Sequence, residues 1–241
     1  MAKLNRADDR FNDARIEHVC LDLARAAGLN APASHLIDTD DSDALLVQRF
    51  DVTPSGGRRH VISANALLKN TTRQVDPIQP RYDDLAALVR HYSVSPKADL
   101  KQLFGQMLLN EAINNVDDHP RNFSFVHTDR GLRLSPAYHL VADDALGGYP
   151  NLTLGTRSRR PRPDDRRLTE AAETLSLAPR EARTVARDVS EALSTLPSIA
   201  AQAGLEDRDW RIMRRVMWQP QGSTDDPLNK PGSGPTPTPS G

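Results

Sequence analysis

The chain has 241 residues, a formal net charge of −1 and a charged fraction of 26%, a balance that gives it no general attraction for nucleic acid. Aromatic residues make up only 5%, so the core has to be aliphatic, and the single cysteine, Cys20, excludes an internal disulfide and fits a reducing compartment. The start, MAKLNRADDR, has no apolar signal region and no segment reaches the length of a membrane span, so a soluble, cytoplasmic protein is expected.

In chain order, residues 2–4 read as the end of a strand. Asp13 is a fair N-cap for a helix over 14–27, in which Ile16, Val19, Cys20, Leu23 and Ala27 fall on one face and Gly28 supplies the stop. Cys20 on that face is expected to be a core residue. Residues 36–37 and 44–50 read as two strands joined by the acidic turn 38–43. A Gly/Pro loop follows over 53–59, then a short helix beginning at 63–68, an irregular loop over 71–81 and a helix over 82–92. Ser95 followed by Pro96 is a helix start, with a hydroxyl at the cap and proline at the first helical position. The helix it opens carries Leu100, Leu103, Phe104, Met107, Leu108 and Ala112, a stripe broad enough for a buried central helix running to about Asn114. Residues 123–127 and 132–134 flank Thr128-Asp129-Arg130-Gly131 as a hairpin. Residues 136–156 are loop-like, the basic run 157–167 is expected to be a solvated, disordered charge run, and helices are expected at 180–196 and 206–218. From residue 222 the Gly/Ser/Pro/Thr-rich chain has no apolar periodicity and is expected to be a disordered tail. The resulting domain plan is 1–55, 56–221 and the tail 222–241.

The chemistry concentrates where the central helix ends, in the stretch NNVDDHPRNFSF of residues 114–125. Asp117 and Asn122 are five residues apart, the spacing of a kinase catalytic loop, in which an aspartate receives the proton of the substrate hydroxyl and an asparagine holds a metal ion. His119 and Arg121, between them, are placed to brace the loop or to contact phosphate. A pattern this short also occurs in polar loops whose carboxylates only accept backbone N–H bonds. No Cys/His cluster has zinc-site spacing and no G-x-S-x-G turn is present.

The same stretch resembles the central motif of HipA-like serine/threonine kinases, the toxin halves of bacterial toxin–antitoxin pairs. Asn114, Asp117, Asp118, His119, Arg121, Asn122 and Ser124 match that motif, and Leu134, Pro136 and Tyr138 match the segment that follows it. Upstream, Lys3, Glu17, LARAAGL at 23–29 and Arg49-Phe50-Asp51 fall in the family's order, so that the resemblance runs over about residues 2–200. It implies an α+β, protein-kinase-like two-lobed fold, with an incomplete small N-lobe of short strands and a mostly helical C-lobe. It also implies ATP and Mg²⁺ as cofactors, with Mn²⁺ as the alternative ion. Asp117 would be the catalytic aspartate, assisted by His119. Lys3, Glu17, Arg121 and Asn122 would bind the cofactor, with Glu17 as the ionic partner of Lys3 and Asn122 as a metal ligand. The implied partners are a HipB-like DNA-binding antitoxin and a protein substrate such as an aminoacyl-tRNA synthetase, with no direct nucleic-acid or membrane contact.

Two departures accompany the resemblance. His139 stands where the family places a metal-binding aspartate, and imidazole is a poor ligand for Mg²⁺ though a better one for softer ions. Asp143 and Asp144 are close by in sequence but out of register. The family's glycine-rich phosphate loop would precede Lys3, so the sequence reads as N-terminally truncated, and a lysine this near the start is expected to fray. Gly56-Gly57-Arg58-Arg59 and Gly147-Gly148 read as flexible turns rather than phosphate loops. Three outcomes stay open: a working ATP-dependent kinase, an inactive pseudokinase that keeps the fold for binding, or an unrelated helical binding module in which the loop match is accidental.

Overall fold

A computed structural model describes residues 1–5, 11–38, 43–71, 80–144, 151–155 and 160–219. Most of the acidic turn, most of the loop 71–81, Gly147-Gly148, part of the basic run and the tail from residue 222 lie outside these residues.

The first sheet contains β1 (Ala2–Leu4), β2 (Ser34–Asp38) and β3 (Asp43–Val47) in the antiparallel order β1-β3-β2, with Lys3 opposite Leu45 and Leu45 opposite Leu36. Leu45 and Val47 are buried while Leu46 between them is exposed, the period-two alternation of a sheet with one covered face. The cover is α1 (Asp13–Ala26), whose Ile16, Val19, Cys20 and Leu23 are buried at helical spacing as expected. Its cap is Asn12 rather than Asp13: the Asn12 side chain accepts from the Arg15 N–H at 3.0 Å. Burial pushes the Cys20 thiol up, so this cysteine is a small core residue and not a nucleophile. The second strand of the hairpin stops at Val47, three residues short of the expected Phe50.

The second sheet joins β4 (Val61–Ser63), β5 (Ser124–Thr128) and β6 (Gly131–Leu134) in the order β4-β5-β6. The hairpin β5–β6 was legible, with Gly131 at φ +121° closing its turn. The three-residue β4 was not, because a segment that short has no period of its own and becomes a strand only by pairing with β5. Helix α2 (Ala64–Thr71) follows β4 directly, and α3 (Tyr82–Tyr92) has the expected limits.

Helix α4 (Pro96–Ala112) is the central element, exposed in its first turn and buried from Leu103 to Asn110 against α3, α6 (Pro179–Ser194) and β6. A Cβ on its Gly105 would lie 2.5 Å from Leu29 Cδ2 and 3.2 Å from Val185 Cγ1, so this helix packs against its neighbours closely enough to exclude a methyl group there. Ser95 sits at the cap position, but its hydroxyl makes no cap bond. Ser93 takes part instead, accepting from the Ser95 N–H at 2.9 Å and donating to Asp99 at 2.5 Å. Asp99 is 2% exposed and also accepts from Arg133 Nη2 at 2.7 Å and from the Leu134 N–H at 2.8 Å, joining α4 to β6. Asp99→Ala leaves those donors unpaired and is expected to cost about 3 kcal/mol, read as a lower midpoint in urea with an unchanged slope.

Two short helices, α5 (Leu168–Thr174) and α7 (Leu196–Gln202), were not anticipated; each is seven residues, about two turns, too few to display a helical period. With α6 and α8 (Asp207–Val216) they complete the helical body. One contiguous hydrophobic core, mostly aliphatic but with Tyr82, Phe104, Phe123 and Phe125 fully buried in it, links α1 to α6 and α7 and α4 to α6. Among the described residues no helix is long and apolar enough to cross a membrane.

Candidate active site

The end of α4 decides where the loop begins. Asn114 adopts φ +59°, a left-handed conformation that asparagine tolerates, and the Asn115 N–H returns to Asn110 O at 2.8 Å. The chain then turns back at Asp118 and makes a single 3₁₀ turn, Pro120–Asn122. The Asn122 side chain donates to the Asp117 carbonyl at 2.8 Å, and the His119 N–H donates to the same oxygen at 2.9 Å. The five-residue spacing is thus the length of a loop closed on itself, with Asn122 buried beneath and the Asp117 carboxylate 60% exposed above.

The structure brings Lys3 to this loop from the far end of the sequence. Lys3 Nζ lies 2.5 and 2.6 Å from the two carboxylate oxygens of Glu17, which is 4% exposed on the covered face of α1. The expectation that Lys3 frays is not met: its strand pairs with β3, and the terminal amine of Met1 donates to Val47 O at 2.9 Å. His139 lies between the two groups, its Nδ1 3.5 Å from Lys3 Nζ and its Nε2 3.5 Å from Asp117 Oδ2. It holds φ +55°, outside the usual range for a residue with a side chain. Lys3, Glu17, Asp117 and His139, with Asn115 and Asp143, line one cleft of ≈ 430 Å³. His119, Arg121 and Asn122 do not contribute to that lining. The Arg121 side chain is exposed, while its carbonyl accepts from Tyr138 Oη at 2.8 Å. His119 reaches Asp117 Oδ1 only at 3.9 Å, and its Nδ1 is buried without a partner.

Under the loop lies a buried polar network that the sequence reading did not contain. Arg160, within the basic run expected to be solvated, is 2% exposed. Its guanidinium pairs with Asp118 through Nη1, reaches Glu111 Oε2 at 3.2 Å through Nε and donates to Asn115 O at 3.0 Å through Nη2. Tyr82 Oη donates to Asp118 at 2.7 Å and accepts from Asn110 Nδ2 at 3.1 Å. Asn110 Oδ1 in turn accepts from Asn115 Nδ2 at 3.0 Å. The signal that would have found this network was Asn110, an amide in line with the apolar stripe of α4, where it needs a buried partner. Burial raises the Asp118 carboxyl to about 6 against the pull of Arg160, so it is ionised at neutral pH. Because the folded chain holds this proton to higher pH than the unfolded one, the ionised group costs stability above about pH 6, a cost relieved as pH falls from there toward the ordinary carboxylate range.

The cleft therefore offers a cation anchored by a buried carboxylate, an exposed carboxylate across from it, and an imidazole between. That suits a phosphate-bearing ligand on Lys3. For a divalent ion, no group of three or more His, Cys, Asp or Glu side chains is assembled among the described residues. Mg²⁺ is commonly held by one or two carboxylates, with phosphates and waters completing its shell, and Asp117 and Asp143 in the cleft fit that partial role.

Residues 1–196 match the HipA-like C-terminal domain. The chain is 27% identical over 137 residues to Y4mE of Sinorhizobium fredii, and 30% identical over 149 residues to the serine/threonine-protein kinase toxin HipA of Shewanella oneidensis. These matches cover 54% and 53% of this chain but only 32% and 34% of those proteins, so the chain spans about a third of their length. Among solved structures, the Shewanella oneidensis MR-1 complex of HipA, HipB and operator DNA superposes with a TM-score of 0.65 at 17% identity, covering 89% of this chain and 55% of that one. The Helicobacter pylori proinflammatory kinase CtkA superposes with a TM-score of 0.54 at 11% identity, covering 84% of this chain and 90% of that one. The fold is thus the expected α+β, protein-kinase-like one, and the chain belongs to the HipA-like C-terminal domain family.

Proposed function

We propose that this domain is a HipA-like protein serine/threonine kinase that transfers the γ-phosphoryl group of ATP to a serine hydroxyl of a protein. The observation that carries the reading is the convergence of the Lys3–Glu17 pair and Asp117 on one cleft. Lys3, held in place by Glu17, would bind the phosphates. The exposed Asp117 carboxylate would accept a hydrogen bond from the attacking hydroxyl and take up its proton. Asn122 would fix the loop through the Asp117 carbonyl, leaving its amide oxygen for a metal ion. Mg²⁺, when bound, neutralises charge on the phosphates. His119 would act within the loop, and Arg121 from its exposed position toward phosphate. By analogy with the neighbour crystallised with HipB and operator DNA, a HipB-like antitoxin would be the partner and would carry the DNA contact. A translation enzyme such as an aminoacyl-tRNA synthetase would be the substrate, in the cytoplasm.

A second reading is favoured by His139. Its ring, within 3.5 Å of both Lys3 Nζ and Asp117 Oδ2, occupies the place of the expected metal-binding aspartate with a ligand that Mg²⁺ disfavours. On that reading the cleft binds nucleotide without turnover.

Thermal shift tests the nucleotide binding that both readings share, and ATP turnover separates them. ATP with Mg²⁺ or Mn²⁺ at about a hundred times its dissociation constant is expected to raise the melting temperature by roughly 5–10 °C, and Asn122→Ala to remove the metal-dependent part. A shift without ATP turnover, with turnover gained in His139→Asp, would support the second reading. No shift with millimolar ATP and either metal would remove nucleotide binding from the account.

A further inference from the structure

The Asp117 loop is tied to a segment far along the chain at more points than its own closure requires. One planar guanidinium, that of Arg160, holds three acceptors at once: Glu111 in the last turn of α4, the carbonyl of Asn115 and the carboxylate of Asp118. Asn115 and Asp118 bracket Asp117, two residues before it and one after, so the guanidinium grips the loop on both sides of the functional carboxylate. The segment 151–155 leading toward Arg160 adds to the grip. The Asn151 N–H donates to Val116 O at 3.0 Å, Asn151 Nδ2 to Asp117 Oδ1 at 3.3 Å, and the Leu152 N–H to Asp118 Oδ1 at 3.3 Å. That segment is itself fastened to the start of α3, where Tyr82 N–H donates to Thr153 O at 2.9 Å and Gly155 N–H to Asp83 at 2.8 Å.

We propose that Arg160 is a positioning residue for Asp117: together with residues 151–155 it holds the loop in one place and so fixes the Asp117 carboxylate over the cleft. The proposal rests on the kinase reading only for its consequence in turnover; the lock itself is a property of the fold. Three considerations point to positioning rather than bulk stability. A buried ion pair contributes little net stability over an apolar pair of similar volume, so its retention is better explained by what it orients. The fork is used in full, and lysine, with a single ammonium on a flexible stem, cannot span three acceptors in these directions. The network also closes on groups around Asp117, the carbonyls of Asn115 and Val116 and the carboxylate of Asp118, and leaves the Asp117 side chain 60% exposed with one long bond, 3.3 Å from Asn151 Nδ2.

The test compares wild type with Arg160→Lys in the full chain by amide hydrogen exchange and by kinetics. Arg160→Lys is expected to raise exchange at the amides of residues 116–119 by about tenfold or more relative to amides of α4, and to lower kcat about tenfold or more with KM for ATP within about threefold, since misplacing a reacting group by an ångström can cost about a hundredfold. Unchanged exchange at 116–119 in the folded variant overturns the proposal. So does a kcat per folded molecule equal to that of wild type, because a purely structural role would lower only the melting temperature. If wild type has no turnover, the kinase reading fails by itself, and the exchange comparison still decides whether Arg160 locks the loop. Should Arg160→Lys fail to fold, Glu111→Gln, which weakens one of the three acceptors, carries the same comparison with the same two outcomes.

Discussion

Asp117→Asn is expected to lower phosphoryl transfer about 10²–10⁴-fold, the range lost with a positioned general base. The same substitution should move the melting temperature by no more than about 2 °C. The two halves of this expectation come from the same geometry. The Asp117 carboxylate is 60% exposed, and its side-chain contacts are long: 3.3 Å from Asn151 Nδ2, 3.5 Å from His139 Nε2 and 3.9 Å from His119 Nε2. What holds the loop shut is the Asp117 carbonyl, which an asparagine keeps, so the loop should survive the loss of the carboxylate. The measurement is ATP turnover with a serine-containing protein acceptor, alongside thermal denaturation of the same samples. A variant with undiminished turnover would exclude Asp117 as the base, and a large drop in melting temperature would show that the carboxylate is part of the structure instead.

Lys3→Met should produce the second large effect, on both stability and nucleotide binding. Glu17 is buried and its carboxylate is bonded to Lys3 through both oxygens; methionine would leave that charge without its cation. An unpaired buried group costs about 1–3 kcal/mol, and the lower part of that range applies because Lys3 itself is 30% exposed and the pair is partly screened by water. Adding Glu17→Leu removes the stranded charge and should recover most of the lost stability. It should not recover the shift produced by ATP, because the cation for the phosphates is still missing. Recovery of both in the double variant would mean that Lys3 serves the fold alone. Full nucleotide binding in Lys3→Met would place the phosphates elsewhere in the cleft.

Much of this chain is written locally. The stripe from Leu100 to Ala112 and the hydroxyl-proline start predict the central helix, because burial of one face and a fixed φ are properties of consecutive residues. The 82–92 helix and the β5–β6 hairpin were legible for the same reason. The interval from Asp117 to Asn122 marked the loop in the sequence, whereas the bond by which Asn122 closes it on the Asp117 carbonyl is seen only in the structure. The order of Lys3, Glu17 and the loop was enough to suggest the family. Where expectation failed, the deciding partner was distant. The cap of α1 moved to Asn12, whose N–H is also held by Asp209 on α8. The short β4 needed β5 to become a strand. The ends of α4 and of the Asp117 loop are set by contacts from beyond residue 140, among them Asp143 N–H on Asn114 O at 3.1 Å.

Arg160 marks the division between the two kinds of information. Read in line, it is one arginine among several in a polar, proline-containing run, and water is the expected surroundings for its charge. Only the folded chain sets Asp118, Glu111 and the Asn115 carbonyl around it, three acceptors that offset the cost of taking a guanidinium out of water. The sequence by itself determined which residue types are present for the chemistry and at what spacing they stand. The tertiary structure decided which charges are buried, which face the cleft, and that a histidine stands between the lysine and the aspartate, because each of those depends on groups that meet only when the chain folds.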